Sequence, residues 1–184
     1  MKIIQTTLPE VLLIEPKVFG DHRGFFLETW NSDRYLDAGF PDVGFVQDNH
    51  SRSRKGVLRG LHFQLNYPQG KLVQAVTGSV FDVAVDIRVG SPNFGKWIGY
   101  ELTGENHRQL WIPPGFAHGF SVLSDVVDFT YKCTDLYRPE DEGGVLWSDP
   151  AIGIDWHTDA PLLSEKDKAY LPLSEIPVEG LPRY

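Results

Sequence analysis

The sequence predicts a mainly β protein, a jelly-roll antiparallel β-barrel or sandwich with a few short helices, most of them C-terminal. Three observations lead there. Eighteen Gly and thirteen Pro are scattered through 184 residues, and punctuation this dense cuts a chain into short segments. In Phe81 to Arg88, Phe81, Val83, Val85 and Ile87 share one face while Asp82, Asp86 and Arg88 share the other, the period of two expected of a half-buried strand. Further strand candidates follow at short, even spacing with almost no amphipathic helix between them, which argues against alternating βαβ units.

Taken in order, Val11 to Glu15 reads as a strand stopped by Pro16. Lys17 to Phe19 runs into the turn-rich Gly20 to Gly24, and Phe25 to Trp30 resumes as strand. Asn31, Ser32 and Asp33 offer N-caps for a short helix through Tyr35 and Leu36, ended near Gly39 and Pro41. Phe45 to Ser51 is β-like at its start and polar after. Strands are expected over 71–77, 97–102, 109–112, 120–123 and 126–134, with turns at Gly78-Ser79, Ser91-Pro92-Asn93 and Pro113-Pro114-Gly115. Ser164 to Ala169 has the capping chemistry of one short helix, and the Pro-containing 171–184 stretch is expected to wrap the surface.

The length suits one well-cored domain spanning 1–184. Hydrophobic residues at 41% and charged residues at 23% are ordinary globular values. The first ten residues lack the apolar core of a signal peptide, and no apolar run approaches a membrane span, so a cytoplasmic protein is expected. Cys133 is the single cysteine and forms no intrachain disulfide, in keeping with a reducing compartment. A net charge of −8 disfavours nucleic-acid binding through a broad basic surface. Locally concentrated cations still suit an anionic small ligand.

Several chemistries lack their motifs. Gly143-Gly144 is not followed by the Lys and Ser/Thr of a phosphate loop, and no Gly-x-Ser-x-Gly nucleophile elbow occurs. Cys133 alternates with Lys132 and Thr134 in a strand, the pattern of a buried, inert thiol. Around His62 no second His or Glu sits at the next inward position, so a metal site is not expected. What remains are polar residues inside strand-like segments: Gln47, Asp48 and Asn49, Arg59 and His62, Lys71, His118, Tyr131, Glu142 and Asp167. Each alone has a structural explanation as a turn, a solvated edge or a helix-end acid. As a set they supply a base, a carboxylate to orient it, a cation for an oxyanion and a phenol as acid.

Phe19 to Glu28, Phe45 to Ser51, Gly56 to Gln64, Gly70 to Val73 and Trp111 to Phe120 closely resemble the dTDP-4-dehydrorhamnose 3,5-epimerases of dTDP-L-rhamnose synthesis, and the likeness continues through Tyr131, Trp147 and Leu163 to Asp167. The resemblance implies a cupin-type barrel that works as a homodimer, with no catalytic metal or cofactor, on a dTDP-linked 4-keto-6-deoxyhexose. It implies His62 as base paired with Asp167, Tyr131 as proton donor on the opposite face and Lys71 at the enolate oxygen. Arg23, Glu28, Gln47, Asn49, Arg59, His118, Glu142 and Lys166 match substrate-contacting positions, to which we add Asp48. Arg23 and Glu28 are expected to reach across the dimer, and Lys168 stands as the alternative to Lys166. A relative that inverts one carbon only, or a noncatalytic sugar-nucleotide-binding cupin, would use the same pocket. Strict alternation would put Arg59 and His62 on opposite faces, so a β-bulge at Gly60 is expected.

Overall fold

The computed structural model describes residues 1–184. In chain order its elements are β1 (Lys2–Gln5), β2 (Leu12–Glu15), β3 (Val18–Asp21), β4 (Gly24–Leu27), α1 (Ser32–Asp37), β5 (Gln47–Arg54), β6 (Leu58–Gln64), β7 (Lys71–Thr77), β8 (Ser79–Asp86), β9 (Trp97–Thr103), β10 (Gln109–Ile112), β11 (Phe116–Val122), β12 (Val126–Cys133), β13 (Glu142–Gly144) and α2 (Glu165–Lys168). One sheet has the order β1-β2-β10-β7-β12-β5 and the other β13-β6-β11-β8-β9, with every ladder antiparallel. They face each other as an open jelly-roll barrel of the cupin kind rather than one closed ladder. No helix is long and apolar enough to cross a membrane.

Three apolar clusters follow from alternation along the strands. Leu13, Val73, Ala75, Leu110, Val127 and Phe129 of the first sheet meet Val80, Ala84, Ile98, Leu102 and Phe120 of the second to form the core between the sheets. The outer face of the second sheet carries Leu58, Leu61, Phe63, Val83, Val85 and Ile87, sealed by Val145, Ile152, Trp156, Leu173 and Leu181. The 171–184 stretch therefore does more than wrap the surface: it buries a second core, at about 1.5–3 kcal/mol for each large apolar side chain. On the outer face of the first sheet, Tyr35 of α1 and Phe40 pack on Leu12, Ile14, Leu72 and Trp111. The α1 helix starts as expected, with the Asn31 side chain accepting the Arg34 N–H.

Three expectations need correcting. The polar face of β8 points into the barrel: Asp82 and Asp86 are 0% exposed and Arg88 6%. A half-buried strand was expected, yet both faces are covered, and the charges survive burial because they are paired. Asp86 accepts Arg88 Nε at 2.9 Å and Ser91 Oγ at 2.6 Å, while Arg88 also holds Glu10. Polar residues 47–54 form the eight-residue strand β5 rather than a strand that fades after Val46, with Gln47, Asn49, Ser51 and Ser53 inward and Asp48, His50, Arg52 and Arg54 outward. The segment over 25–30 is strand only to Leu27, and β4 pairs with β3 in a hairpin turning at His22 and Arg23.

The bulge in β6 is present. Phe120 faces Arg59 and His118 faces His62, so the step from 59 to 62 on β6 spans three residues against two from 118 to 120 on β11. Leu58 and Leu61 consequently both enter the outer cluster, and Arg59 and His62 both turn inward. Gly60 absorbs the extra residue at φ +125°, close against Gly119. A Cβ at Gly60 would stand 2.6 Å from Gly119 Cα and 2.8 Å from the His118 carbonyl oxygen. Gly60→Ala is therefore expected to lower unfolding free energy by about 2–5 kcal/mol, the sum of positive-φ strain and overpacking; urea unfolding that shows less than about 0.5 kcal/mol of loss would remove this close approach.

Candidate active site

At one end of the barrel the inner face changes from apolar to polar along each strand. Phe129 gives way to Tyr131 on β12, Val73 to Lys71 on β7 and Phe120 to His118 on β11. A cavity of about 310 Å³ opens there, lined by Gln47, Asn49, His62, Lys71, Tyr131 and Glu142 together with Phe63, Gln64, Gln69 and Tyr137.

His62 stands on β6 with Nε2 2.6 Å from Asp167 Oδ1. Asp167 sits in the first turn of α2, and its backbone N–H donates to the capping Ser164 Oγ at 3.1 Å. Burial would raise the Asp167 carboxyl, but the hydrogen bond and charge of His62, with Ser164 and Lys166, outweigh it and hold the pKa below the ordinary value. An ionised Asp167 only accepts, so Nε2 carries the hydrogen. In the neutral imidazole the lone pair is then on Nδ1, which lies 3.9 Å from Oε1 of Glu142, a residue of the cavity lining.

The other polar groups line or border the same cavity. Burial pushes the Lys71 ammonium pKa down, opposed by Cys133, Glu142 and Asp82. Burial pushes the Tyr131 phenol up, with Cys133 and Glu142 adding to the rise and Arg59 opposing it, so it is a proton donor at neutral pH. His118 lies beneath, its Nε2 2.9 Å from Asp82 Oδ2; burial raises the Asp82 pKa against the pull of His118 and Lys71. Glu142 is fixed by Lys166 Nζ at 2.8 Å and the Tyr137 hydroxyl at 2.5 Å. Burial would raise it, and these donors with His62 bring it below the usual carboxylate range. Arg59 is held by Ser53 Oγ, 3.1 Å from both Nε and Nη2.

Gln47, Asn49, His62, Lys71, Tyr131 and Glu142 thus share one cavity, with Asp167 and His118 behind it and Arg59 and Lys166 beside Tyr131 and Glu142. Lys168 pairs with Glu165, leaving Lys166 as the lysine on Glu142. Three named residues do not join them. Asp48 points to the outer face, where it pairs with Lys132 at 3.0 Å and borders a neighbouring groove that Asn49 and Tyr131 also line, outside the site cavity's own lining. Its neighbours Gln47 and Asn49 face in, so alternation carries Asp48 out. Arg23 lies at the hairpin turn, paired with Asp21 at 2.6 Å, and Glu28 pairs with Arg34. No three His, Cys, Asp or Glu side chains gather into a metal-ligating group.

Sequence reasoning passed over Tyr137, Gln64, Gln69 and Asp82. Tyr137 follows the end of β12, where no periodicity marks it. Gln64 had a signal, an amide ending an apolar strand: its oxygen accepts the Arg138 N–H and its nitrogen donates to the Tyr67 carbonyl. Asp82 is visible in the alternation of β8, where its row reads as solvent-facing, and the structure turns it into the barrel.

A base oriented by a carboxylate, a phenolic acid in the same cavity and a desolvated ammonium are suited to moving protons at a carbon beside a carbonyl. Comparison with known proteins meets the same chemistry. The family model described as dTDP-4-dehydrorhamnose 3,5-epimerase matches residues 5–175. An enzyme of that name from Shigella flexneri is 60% identical over 168 residues, covering 91% of this chain and 93% of the relative. The crystal structure of dTDP-6-deoxy-D-glucose-3,5-epimerase from Legionella pneumophila Philadelphia 1, in complex with dTDP-4-keto-L-rhamnose, is 56% identical with a TM-score of 0.96, covering 100% of this chain and 98% of that one. A more distant relative, dTDP-4-dehydrorhamnose 3-epimerase from Streptomyces niveus, is 41% identical over 93% of this chain and 84% of its own length. With one family model along nearly its whole length and identities this high, the chain belongs to the dTDP-4-dehydrorhamnose 3,5-epimerase family.

Proposed function

We propose that this protein inverts C3 and C5 of dTDP-4-dehydro-6-deoxy-D-glucose to give dTDP-4-dehydro-L-rhamnose. The observation that carries the reading is the His62–Asp167 pair opening on the same cavity as Tyr131 and Lys71. His62 Nδ1 takes the proton from the carbon next to the C4 ketone, and the C–H electron pair moves onto O4 as an enolate. The Lys71 ammonium stabilises that oxygen, a contribution on the order of 3–4 kcal/mol in a water-poor site. Tyr131 then delivers a proton to the opposite face, and the carbon is inverted. Proton loss and gain balance at each carbon, so the chemistry needs no oxidant or reductant.

Substrate binding follows from the remaining groups. Arg59 holds a phosphate oxygen, as its bidentate guanidinium suits, and Gln47, Asn49, His118, Glu142 and Lys166 complete the sugar and nucleotide pocket. We assign Arg23 and Glu28 to the partner's site in a homodimer, because the β3–β4 hairpin leaves Phe19, Phe25 and Phe26 50–64% exposed, a surface suited to burial against a second copy. The lone, buried Cys133 and a nucleotide-sugar substrate support a cytoplasmic location.

Three outcomes check this reading. In D₂O with dTDP-4-keto-6-deoxyglucose, deuterium should enter at both C3 and C5, and His62→Asn should cut exchange by about 10²–10⁴-fold while sparing dTDP binding. Label at one carbon only would make the protein a single-position epimerase, and binding with no exchange by the unmutated protein would make it a noncatalytic cupin. Because burial lowers the Lys71 pKa, the charged form is lost as pH rises through a value below that of an ordinary lysine, about 10.4. The alkaline limb of kcat/KM should therefore fall below that pH and disappear in Lys71→Met, whose kcat drops about 10²–10³-fold; an identical limb in the variant clears Lys71. For the dimer assignment, a purified heterodimer of one Arg23→Ala and one His62→Asn protomer should show about half the wild-type kcat/KM, since one of two sites is intact. Activity no higher than half that of the Arg23→Ala homodimer would place Arg23 in its own subunit's site.

A further inference from the structure

We propose that Tyr170 is a positioning residue for the base: its ring occupies the slot left by Gly144 and holds the His62 imidazole in place with Nδ1 toward the cavity. The inference rests on His62 being the base. One hydrogen bond at Nε2 fixes where the imidazole is tethered, but the terminal torsion of a histidine is soft, and the ring needs a second contact to hold its plane. Tyr170 supplies that contact, with ring centroids 5.9 Å apart and planes crossed at 71°, the edge-to-face arrangement that aromatic pairs prefer.

The seat is built for it. Gly144 is the residue directly opposite His62 on β13, and a Cβ there would lie 2.3 Å from both Cε2 and Cζ of Tyr170. The glycine therefore leaves the tyrosine room beside the histidine. Tyr170 follows Ala169, the C-cap of α2, so Asp167 and Tyr170 reach His62 from one short segment. The Leu171 carbonyl accepts the Leu146 N–H at 2.9 Å and ties that segment to the chain leaving β13.

The hydroxyl of Tyr170 is buried without a hydrogen-bond partner. Glu142, Asp167 and Tyr137 are the titratable groups around it, and burial first, then the carboxylates of Glu142 and Asp167, push its pKa up and keep it protonated. A buried hydroxyl with no partner is a cost rather than a gain, so the ring is what the site uses. Tyr170 is also absent from the cavity lining, which separates its effect from substrate contact.

The test compares Tyr170→Leu, Tyr170→Phe and Gly144→Ala by steady-state kinetics per folded enzyme, with dTDP binding measured by calorimetry. Tyr170→Leu should lose about 10- to 100-fold in kcat, the scale of a roughly 1 Å misplacement of a reacting group, with KM and dTDP affinity within about threefold of wild type. Tyr170→Phe should restore most of that kcat. Gly144→Ala, which drives the ring from its slot, should reproduce the loss, and stands as the test if Tyr170→Leu does not fold. Wild-type kcat in Tyr170→Leu or Gly144→Ala, a loss seen equally in dTDP affinity, or no rescue by Phe overturns the proposal. His62→Asn decides the underlying reading by itself: an inactive His62→Asn beside a fully active Tyr170→Leu removes the positioning role and leaves the base standing.

Discussion

The site depends on the contact between two glycines. Where β6 passes β11, Gly60 and Gly119 approach so closely that a Cβ on either would meet the other's strand, at 2.6 Å from Gly119 Cα in one case and 2.7 Å from the Arg59 carbonyl oxygen in the other. That approach admits one extra residue into β6. A one-residue change of phase moves every later side chain to the other face. Before it, Arg59 is inward and Leu58 outward; after it, His62 and Gln64 are inward and Leu61 and Phe63 outward. Without the extra residue, either His62 would enter the outer apolar cluster or Leu58 would leave it.

The inward turn of His62 matters because of the electrostatics of the cavity. Lys71 is half-buried, burial lowers its pKa against the pull of Cys133, Glu142 and Asp82, and its ammonium forms no ion pair within the chain. The two carboxylates are satisfied elsewhere, Glu142 by Lys166 and Tyr137 and Asp82 by His118. Lys71 therefore remains a donor with no competing acceptor in direct contact, which is the arrangement the proposed oxyanion role requires. The surrounding hydrogen bonds occupy these acceptors and keep Lys71 from closing onto one of them.

Legibility in the sequence divided along physical lines. Strands with an apolar face were plain: 71–77 and 109–112 match β7 and β10 to the residue, and Asn31 and Ser164 marked the starts of both α-helices. β5 was harder because its inward face, Gln47, Asn49, Ser51 and Ser53, is as polar as its outward face, and a period of two without a hydrophobic contrast leaves little to read. β8 showed its alternation clearly but concealed its direction, since a row of Asp82, Asp86 and Arg88 reads as solvent-facing until their buried partners are known. Among the site residues, His62, Lys71 and Tyr131 stood out as polar groups in apolar strands. Tyr137 and Tyr170 lie in irregular segments, and only packing brings them to the histidine.

The acidic balance of the chain does not oppose an anionic substrate once the pairing of its arginines is considered. Arg23, Arg34, Arg52, Arg88 and Arg108 are each bound to a carboxylate. Arg59 is held by the neutral hydroxyl of Ser53. A guanidinium already bridged to a carboxylate must give up that charge-assisted bond to take a phosphate, whereas one resting on a hydroxyl exchanges a weaker contact for a stronger one. Across the rest of the surface, the −8 net charge is screened beyond about 8 Å at physiological ionic strength. Local pairing therefore leaves Arg54, Arg59, Arg138 and Arg183 without a carboxylate, and of these Arg59 is the one whose charge acts on Tyr131, the placement that suits a guanidinium proposed to take a phosphate.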